Sequence, residues 1–308
     1  MRLVVLLDPL LGPSPARDRR AERLRDLLDG CGEVLPCPDL HALHRALPQA
    51  LQADALAVTG GDASLGAFLT AAWAHDETTP LPPLLSLAGG PSSRWVAAHL
   101  GTDGDPEPHL KRLAALARKG PSLLRRPLKP QPRPCLRLVD SSLPSPSFGF
   151  TFGLGALVPW TEALSSRSSG EGALASTLAA ARVALQGATL ARTPARVLLD
   201  GLPFADGCTF ASASALDLLP PNLACDDALA QGHLRWAWND MPAWSAVAPF
   251  LSPLGPRQGE RWKLSQARRL VLDLPAPASY VLDGAVVTPP AGVALELRPG
   301  PNAPLASF

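Results

Sequence analysis

The sequence lacks the patterns that mark secreted and membrane-spanning proteins. Its five cysteines are odd in number and form no C-x-x-C pair, which argues against a disulfide framework or a cysteine zinc site and fits a reduced compartment. No apolar run reaches the length of about 18 residues that a membrane-spanning helix needs. The apolar start at residues 3–7 is interrupted by Asp8-Pro9 before a signal-peptide core is complete. We therefore expect a cytoplasmic protein.

An excess of charge of either sign is also missing. The 28 Lys and Arg residues nearly balance the 27 Asp and Glu residues, and the formal net charge is +1. Capture of nucleic acid needs a basic domain or stripe, so we expect no nucleic-acid partner.

Several nucleotide-enzyme motifs are absent as well. The chain has no G-x-x-x-x-G-K-[ST] loop, no G-x-G-x-x-G, and no H-x-D followed by D-F-G. These absences disfavour a P-loop NTPase, a dinucleotide oxidoreductase and a protein kinase.

The chain does contain a glycine turn between a strand and a helix. The apolar run 55–58 predicts a buried strand, T-G-G-D-A-S follows at 59–64, and 65–72 has helical character. Adjacent glycines let backbone N–H groups approach an anion, and a helix N-terminus adds its positive dipole end. The pattern predicts a phosphate cradle.

The first part of the chain alternates strands with helices, which predicts a parallel sheet. The predicted strands are 3–7, 33–35, 55–58 and 84–87, and the predicted helices are 16–28, 39–51, 65–74 and 93–100. Ligands of such sheets bind beyond the carboxyl ends of the strands, where the turns at Asp8, Gly60 and Gly89 fall.

A proline-rich basic segment interrupts this alternation. Residues 111–137 hold nine basic side chains and no acid, and we place a domain boundary within 120–132. The remaining chain is β-rich, with helices expected at 172–185 and 243–251. The expected strands are 135–139, 148–158, 196–199, 233–238, 270–274, 280–282 and 293–297.

Four turns, taken together, resemble one enzyme family. They read Asp8-Pro9 with Gly12, Gly60-Gly61-Asp62-Ala63-Ser64, Gly89-Gly90-Pro91-Ser92-Ser93-Arg94 and Leu282-Asp283-Gly284-Ala285. The order and spacing resemble those of the bacterial diacylglycerol kinase and sphingosine kinase family of lipid kinases, whose nucleotide domain is related to that of NAD kinases. Family members carry Asn-Pro, Gly-Gly-Asp-Gly-Thr, Gly-Thr-x-Asn-Asp and Asp-Gly-Glu at these places.

The resemblance implies an α/β plus β fold. Residues 1–125 would form a doubly wound α/β nucleotide-binding domain of the diacylglycerol kinase type. Residues 126–308 would form a β-rich, sandwich-like domain with a few helices, which receives the lipid substrate.

The resemblance also implies an ATP-dependent lipid kinase that transfers the γ-phosphoryl group to a diacylglycerol or sphingoid hydroxyl. Asp283 would act as general base, and Asp62 would organise Mg²⁺ or the acceptor. The implied nucleotide contacts are Asp8, Gly60, Gly61, Asp62, Ala63, Ser64, Gly89, Gly90, Ser93 and Arg94. The implied cofactors are ATP and Mg²⁺.

The motifs depart from the family at several positions, and each departure leaves an alternative open. Ala63 replaces a glycine, and a left-handed backbone there would cost about 1–2 kcal/mol. Arg94 replaces an acid and would either bind a phosphate or occupy the place of the cation. Ala285 replaces an acid. The alternative function is a catalytically inactive relative that binds a nucleotide or a lipid.

For Asp62 and Asp283 the sequence also leaves open a purely structural role. Asp62 follows a glycine turn and can be a helix N-cap. Asp283-Gly284 lies between short apolar runs and can be a hairpin turn.

The sequence leaves two interpretations open for the basic segment 111–137. It can attract anionic head groups and hold the protein at the inner membrane face, or it can be a solvated helix face followed by a linker. Edge strands in the β-rich part would allow a homodimer.

Overall fold

The structure, a computed structural model, describes residues 2–7, 15–87, 96, 100, 102, 106–119, 128–165, 192–216, 229–240 and 263–307. The chain divides into two units, Met1–Arg133 with Pro301–Phe308, and Pro134–Gly300. The boundary after Arg133 lies eight residues beyond the predicted one at 125. The end of the chain returns to the first unit, which corrects the expectation of one uninterrupted second domain over 126–308.

A parallel sheet forms the centre of the first unit. Its strands lie in the order β2-β1-β3-β4, and each neighbouring pair is parallel. The end of the last strand, β16, joins the same sheet, where Leu305 pairs with Leu84. All residues of β1, β3 and β4 are buried, as central parallel strands require. The bounds are β1 Leu3–Leu7, β2 Gly32–Pro36, β3 Ala55–Thr59, β4 Leu84–Leu87 and β16 Val293–Ser307.

Four described helices connect and flank these strands. They are α1 Pro15–Leu28, α2 Leu40–Leu51, α3 Asp62–Trp73 and α4 Pro106–Arg118. Apolar residues of α1 and α4 share a core with one face of the sheet, and α2 contacts α3. Asp39 caps α2 by accepting the N–H of Ala42 at 2.7 Å, at the residue where the predicted helix 39–51 begins. The helix predicted at 93–100 lies outside the described residues except for Val96 and Leu100.

The second unit is built from antiparallel strands. One sheet has the order β12-β11-β10-β7-β14-β15. The other contains the first part of β16 with β13, β8 and β9, while β5 pairs with β16 and β6. The bounds are β5 Lys129–Asp140, β6 Ser147–Gly149, β7 Thr151–Gly155, β8 Thr193–Leu199, β9 Leu202–Cys208, β10 Phe210–Ser214, β11 Leu234–Asn239, β12 Lys263–Ala267, β13 Leu270–Leu274, β14 Tyr280–Leu282 and β15 Ala285–Val287.

Alternate residues of both sheets form the core of the second unit. Leu154, Ala211 and Trp238 lie side by side on the inner face of the six-stranded sheet. Leu272 and Leu295 of the other sheet belong to the same apolar cluster. The fold therefore combines mixed α/β structure with a β-rich unit, as the sequence predicts in outline.

One long predicted strand is wrong in detail. The run 148–158 divides into β6, β7 and a helix, α5 Leu157–Ser165. Gly155 permits the bend between β7 and α5 because its φ is 71°. The helices expected at 172–185 and 243–251 lie outside the described residues. Among the helices that the structure describes, none combines the length and apolarity needed to cross a membrane.

Candidate functional site

The glycine turn after β3 has the backbone that a phosphate cradle needs. Gly60 has φ 113°, and Gly61 has φ 94° with ψ −174°, regions that glycine enters at little cost and other residues avoid. The turn lies at the carboxyl end of an interior parallel strand. Gly61 is the N-cap of α3 and makes no side-chain capping hydrogen bond. The first turn of α3 thus presents its N-terminal dipole without a side-chain cap.

Ala63 lies in the helix that follows the turn, so its backbone is not left-handed. It is the second residue of α3 and has right-handed helical geometry, and it is not among the described residues with positive φ. The cost that a left-handed backbone would impose on alanine therefore does not arise at this position. The two positions that need positive φ are both glycine, so alanine at 63 leaves the turn intact.

Asp62 and Ser64 lie in the first turn of α3 and are buried, with exposures of 0% and 1%. The backbone N–H of Val96 donates to Asp62 Oδ2 at 3.2 Å. Because Gly61 is the N-cap, Asp62 is the first helical residue and the N-cap alternative is wrong. A carboxylate in this position is stabilised by the helix dipole. Ser64 Oγ has no hydrogen-bond partner within the described part of the chain.

The sequence reasoning missed Ser86. It lies on β4, next to β3, and is fully buried. Its carbonyl accepts the hydroxyl of Thr102 at 2.5 Å, while its own Oγ has no partner among the described residues. The signal available in the sequence was a lone polar residue within the apolar run 84–87.

Asp283 forms the turn between β14 and β15. Asp283 and Gly284 have φ of 50° and 84°, as a two-residue type I′ hairpin turn requires. The carboxylate is 1% exposed. Its Oδ1 accepts the N–H of Phe150 at 2.9 Å and, from Thr151, the N–H at 2.8 Å and the hydroxyl at 3.0 Å. The hairpin interpretation is confirmed, and the role as general base stays a prediction.

The structure thus brings five predicted site residues together in one turn: Gly60, Gly61, Asp62, Ala63 and Ser64. Asp283 belongs to the second unit. The remaining predicted nucleotide contacts, Asp8, Gly89, Gly90, Ser93 and Arg94, lie outside the described residues.

The donor set at the turn decides what kind of cation fits. No group of three or more His, Cys, Asp or Glu side chains within the described ranges could hold a metal ion. Mg²⁺ commonly binds through one or two carboxylates together with substrate phosphates and water. Asp62 is a carboxylate of the kind that this mode of binding uses.

Comparisons with known proteins identify the fold. Neither protein-family models nor curated proteins match the sequence. A solved diacylglycerol kinase structure from Bacillus anthracis strain Sterne aligns with a TM-score of 0.57 and 13% identity, covering 97% of this chain and 94% of that one.

Two structures named as candidate diacylglycerol kinases from the same strain align with TM-scores of 0.61 at 14% identity. Both cover 96% of this chain, and they are covered over 94% and 93% of their own lengths. Such low identity shows the fold alone. At that level, the predicted resemblance to diacylglycerol kinases is confirmed.

Proposed function

We propose that this chain, which has the fold of the bacterial diacylglycerol kinases, binds ATP and transfers its γ-phosphoryl group to a lipid hydroxyl. The observation that carries the proposal is the turn at Gly60 and Gly61, where two positive-φ glycines lead from a parallel strand into a helix without a side-chain cap. This arrangement binds phosphate through backbone N–H groups and the helix dipole.

Phosphoryl transfer depends on positioning and on charge neutralisation. In our proposal the nucleotide phosphates lie against the first turn of α3. Asp62 contributes a carboxylate for Mg²⁺, which would neutralise the charge on the phosphates when bound. Ser64 and Ser86 contribute buried hydroxyls whose hydrogen-bonding capacity is not used by the described chain.

In our proposal, Asp283 acts on the lipid hydroxyl that accepts the phosphoryl group. As general base it would take the proton from the lipid hydroxyl, which requires the carboxylate to exchange a donor of Phe150 or Thr151 for the acceptor O–H. The lipid class, the position at a membrane surface and a homodimer stay predictions. Two basic residues of the proposed membrane-facing segment have partners in the chain, since Lys111 pairs with Glu107 and Arg118 donates to the carbonyl of Leu27.

One observation favours a second candidate function. Asp283 Oδ1 accepts three hydrogen bonds from Phe150 and Thr151, and these contacts are those of a structural carboxylate. A protein that keeps the glycine turn but uses Asp283 for structure would bind a nucleotide without transferring phosphate.

Calorimetric titration of the full chain with ATP and Mg²⁺ tests the proposal. We expect binding by the wild type and at least tenfold weaker binding by Asp62→Asn. The matched control is Asp39→Asn at the start of α2, where asparagine also caps helices well and binding should not change. Absence of ATP binding by the wild type would overturn the kinase and the nucleotide-binding protein, and would favour an inactive relative that binds a lipid.

Turnover separates the two candidates. We expect the wild type to phosphorylate a diacylglycerol or a sphingoid base in mixed micelles, and Asp283→Asn to lose that activity while still binding ATP. Binding without turnover on any alcohol of either class would favour the inactive nucleotide-binding protein.

A further inference from the structure

An arginine cluster lies on the outer face of the sheet that contains β13 and the first part of β16, meaning the face turned away from the apolar core of the second unit. Leu270 and Leu297 belong to that core and pair with each other across the two strands. Side chains alternate along a strand, so their neighbours Arg269 and Arg298 point to the outer face. The same register, continued by one residue, places these two arginines opposite each other.

A third arginine, Arg137, lies on β5 beside the other edge of β16. A Cβ added at Gly300 would lie 3.2 Å from Arg137 Cβ, and Gly300 is two residues from Arg298 on the same strand face. Leu136 and Leu138, on either side of Arg137, belong to the core, so Arg137 also points to the outer face. The cluster therefore consists of three arginines from neighbouring strands.

Glu296 is the acidic side chain that contacts this cluster. Its carboxylate pairs with Arg269 Nη2 at 2.5 Å and with Arg298 Nε at 3.4 Å. A hydrogen bond from Arg269 and the charges of all three arginines lower the pKa of Glu296, although partial burial acts in the opposite direction. Glu296 is therefore charged at neutral pH. One glutamate among three arginines leaves an excess of two positive charges.

The surroundings of the cluster leave this excess in place and open to solvent. Asp200 Oδ1 accepts the backbone N–H groups of Arg268 and Arg269, and the charge of the exposed Arg268 balances that of Asp200. The side chains of Arg269 and Arg298 are 53% and 48% exposed. A ligand in solution can therefore reach both guanidinium groups.

Another row of the same sheet face is arranged in the opposite way. Asp273 on β13 pairs with Arg196 on β8, and Arg196 pairs with Asp206 on β9. Opposite charges directly across two strands stabilise a sheet, whereas like charges destabilise it. The sheet alternates the charges in this row but places Arg269 opposite Arg298 in the cluster. An anion bound at the cluster would remove that repulsion.

A phosphate monoester fits the cluster in charge and in geometry. At neutral pH it carries a charge of about −1.5 to −2 and three acceptor oxygens. Planar guanidinium groups bind phosphate oxygens through paired N–H donors. We propose that Arg137, Arg269 and Arg298 bind a phosphate monoester, which competes with Glu296 for the two exposed guanidinium groups. This inference is independent of ATP binding at the glycine turn and of phosphoryl transfer.

NMR titration of the full chain without nucleotide tests the site. The probes are glycerol 3-phosphate, a free monoester, and dihexanoyl phosphatidic acid, which presents the same group on a lipid. The readout is the Nε–Hε resonances of Arg269 and Arg298 in a nitrogen-15 spectrum, because these report on the cluster and not on the glycine turn. We expect saturable shifts with at least one probe. Binding of glycerol 3-phosphate alone assigns the site to free monoesters, and binding of phosphatidic acid alone assigns it to a lipid head group.

A phosphate diester tests the charge argument. Dimethyl phosphate carries a single negative charge and cannot neutralise the excess of two positive charges. We expect it to bind at least about threefold more weakly than the monoester that binds, because the loss corresponds to that of an exposed ion pair.

Matched substitutions separate the cluster from the general surface charge, with binding followed through the phosphorus-31 signal of the probe. Arg269→Gln and Arg298→Gln should each weaken binding by about threefold to fivefold, the range for exposed ion pairs. Arg268→Gln, the matched control, removes the same charge next to the cluster and should bind like the wild type. Glu296→Gln should strengthen binding because the competing carboxylate is gone.

Stability without ligand gives a second readout. Glu296→Gln should lower the melting temperature because the arginines then repel one another without compensation, and a saturating amount of the monoester should raise it again. The proposal is overturned if neither monoester shifts the resonances of Arg269 and Arg298, or if dimethyl phosphate binds as tightly as the monoester. It is also overturned if Arg268→Gln weakens binding as much as Arg298→Gln, or if Glu296→Gln weakens it.

Discussion

Asp283 and Thr151 form two hydrogen bonds with each other, and each residue is the donor in one of them. The N–H of Asp283 donates to the carbonyl of Thr151 at 2.9 Å, and the N–H of Thr151 donates back to the Asp283 carboxylate at 2.8 Å. The two residues are 132 positions apart in the chain. These hydrogen bonds connect the β14–β15 turn with the start of β7.

This contact predicts that Asp283→Ala is strongly destabilising. The substitution leaves the N–H groups of Phe150 and Thr151 without their charged acceptor and places alanine at φ 50°. We expect a loss of about 3 kcal/mol in the free energy of unfolding, measured by urea denaturation.

Asp200→Ala is the matched control. Asp200 has φ 49° in another Asp-Gly hairpin turn, and its carboxylate accepts the N–H groups of Arg268 and Arg269. It is exposed, so its loss should cost only about 1 kcal/mol because water replaces the carboxylate. Equal losses in the two variants would contradict a special structural role for Asp283.

The glycine turn predicts opposite outcomes for two neighbouring substitutions. Gly61→Ala puts a side chain at φ 94° and ψ −174°, which costs about 1–3 kcal/mol of stability. It should also weaken ATP binding, measured by calorimetry, because the turn must change shape.

Ala63→Gly introduces the glycine that members of the lipid kinase family carry in the motif that Gly60–Ser64 resembles. Because Ala63 is already helical, this change should leave ATP affinity within about twofold while lowering stability by at most about 1 kcal/mol. A large gain in ATP affinity would mean that the turn found here is not the one that binds phosphate.

We expect the stability of the fold to depend on pH in the alkaline range because of Tyr280. Its hydroxyl donates to Asp140 Oδ2 at 3.1 Å, and burial, with the negative charge of Asp140 and their hydrogen bond, raises the pKa of Tyr280 above its ordinary 10.0. Above that pH the unfolded chain loses the tyrosine proton while the folded chain keeps it. The stabilisation is therefore complete below pH 10 and declines as the pH rises toward the raised pKa.

The chain contains one tyrosine, so the ultraviolet absorbance of tyrosinate reports Tyr280 directly. We expect the native protein to ionise at higher pH than the urea-unfolded protein. Tyr280→Phe should lower stability at neutral pH by about 1.5–3 kcal/mol, the range for a hydrogen bond to a charged group. Coincident native and unfolded titrations would contradict the burial of this hydroxyl.

We expect the thiol of Cys208 to react slowly with alkylating reagents, because it is buried. Burial raises the pKa of its thiol to about 12, although the charge of Arg192 acts in the opposite direction. The thiolate is the reactive form, so iodoacetamide should label Cys208 at mildly alkaline pH only after unfolding. Peptide mass spectrometry measures this, and rapid labelling of the folded protein would be the contrary result.

Much of the local structure could be predicted from the sequence. The four parallel strands and the hairpin turn at Asp283-Gly284 depend on residues close together in the chain. The strand β10 was missed because Phe210–Ser214 consists mainly of small residues buried on both faces, so neither apolar alternation nor a strong apolar run marks it.

The candidate site was predicted only in part. The position of the glycine turn followed from its motif, whereas the backbone geometry of Ala63 could not be predicted because the motif does not show at which residue the helix begins. Ser86 was missed because one serine within an apolar run is ordinary until its burial is known.

The sequence by itself determined the elements whose cause is local: apolar periodicity for strands and helices, and positive-φ glycines for the turn at Gly60 and Gly61. The tertiary structure alone decided the hydrogen bonds of the Asp283 carboxylate, the return of β16 to the first unit beside β4, and the burial of Ser86. Each of these depends on pairing between distant segments, and such pairing is set by competition among all the surfaces that the chain buries.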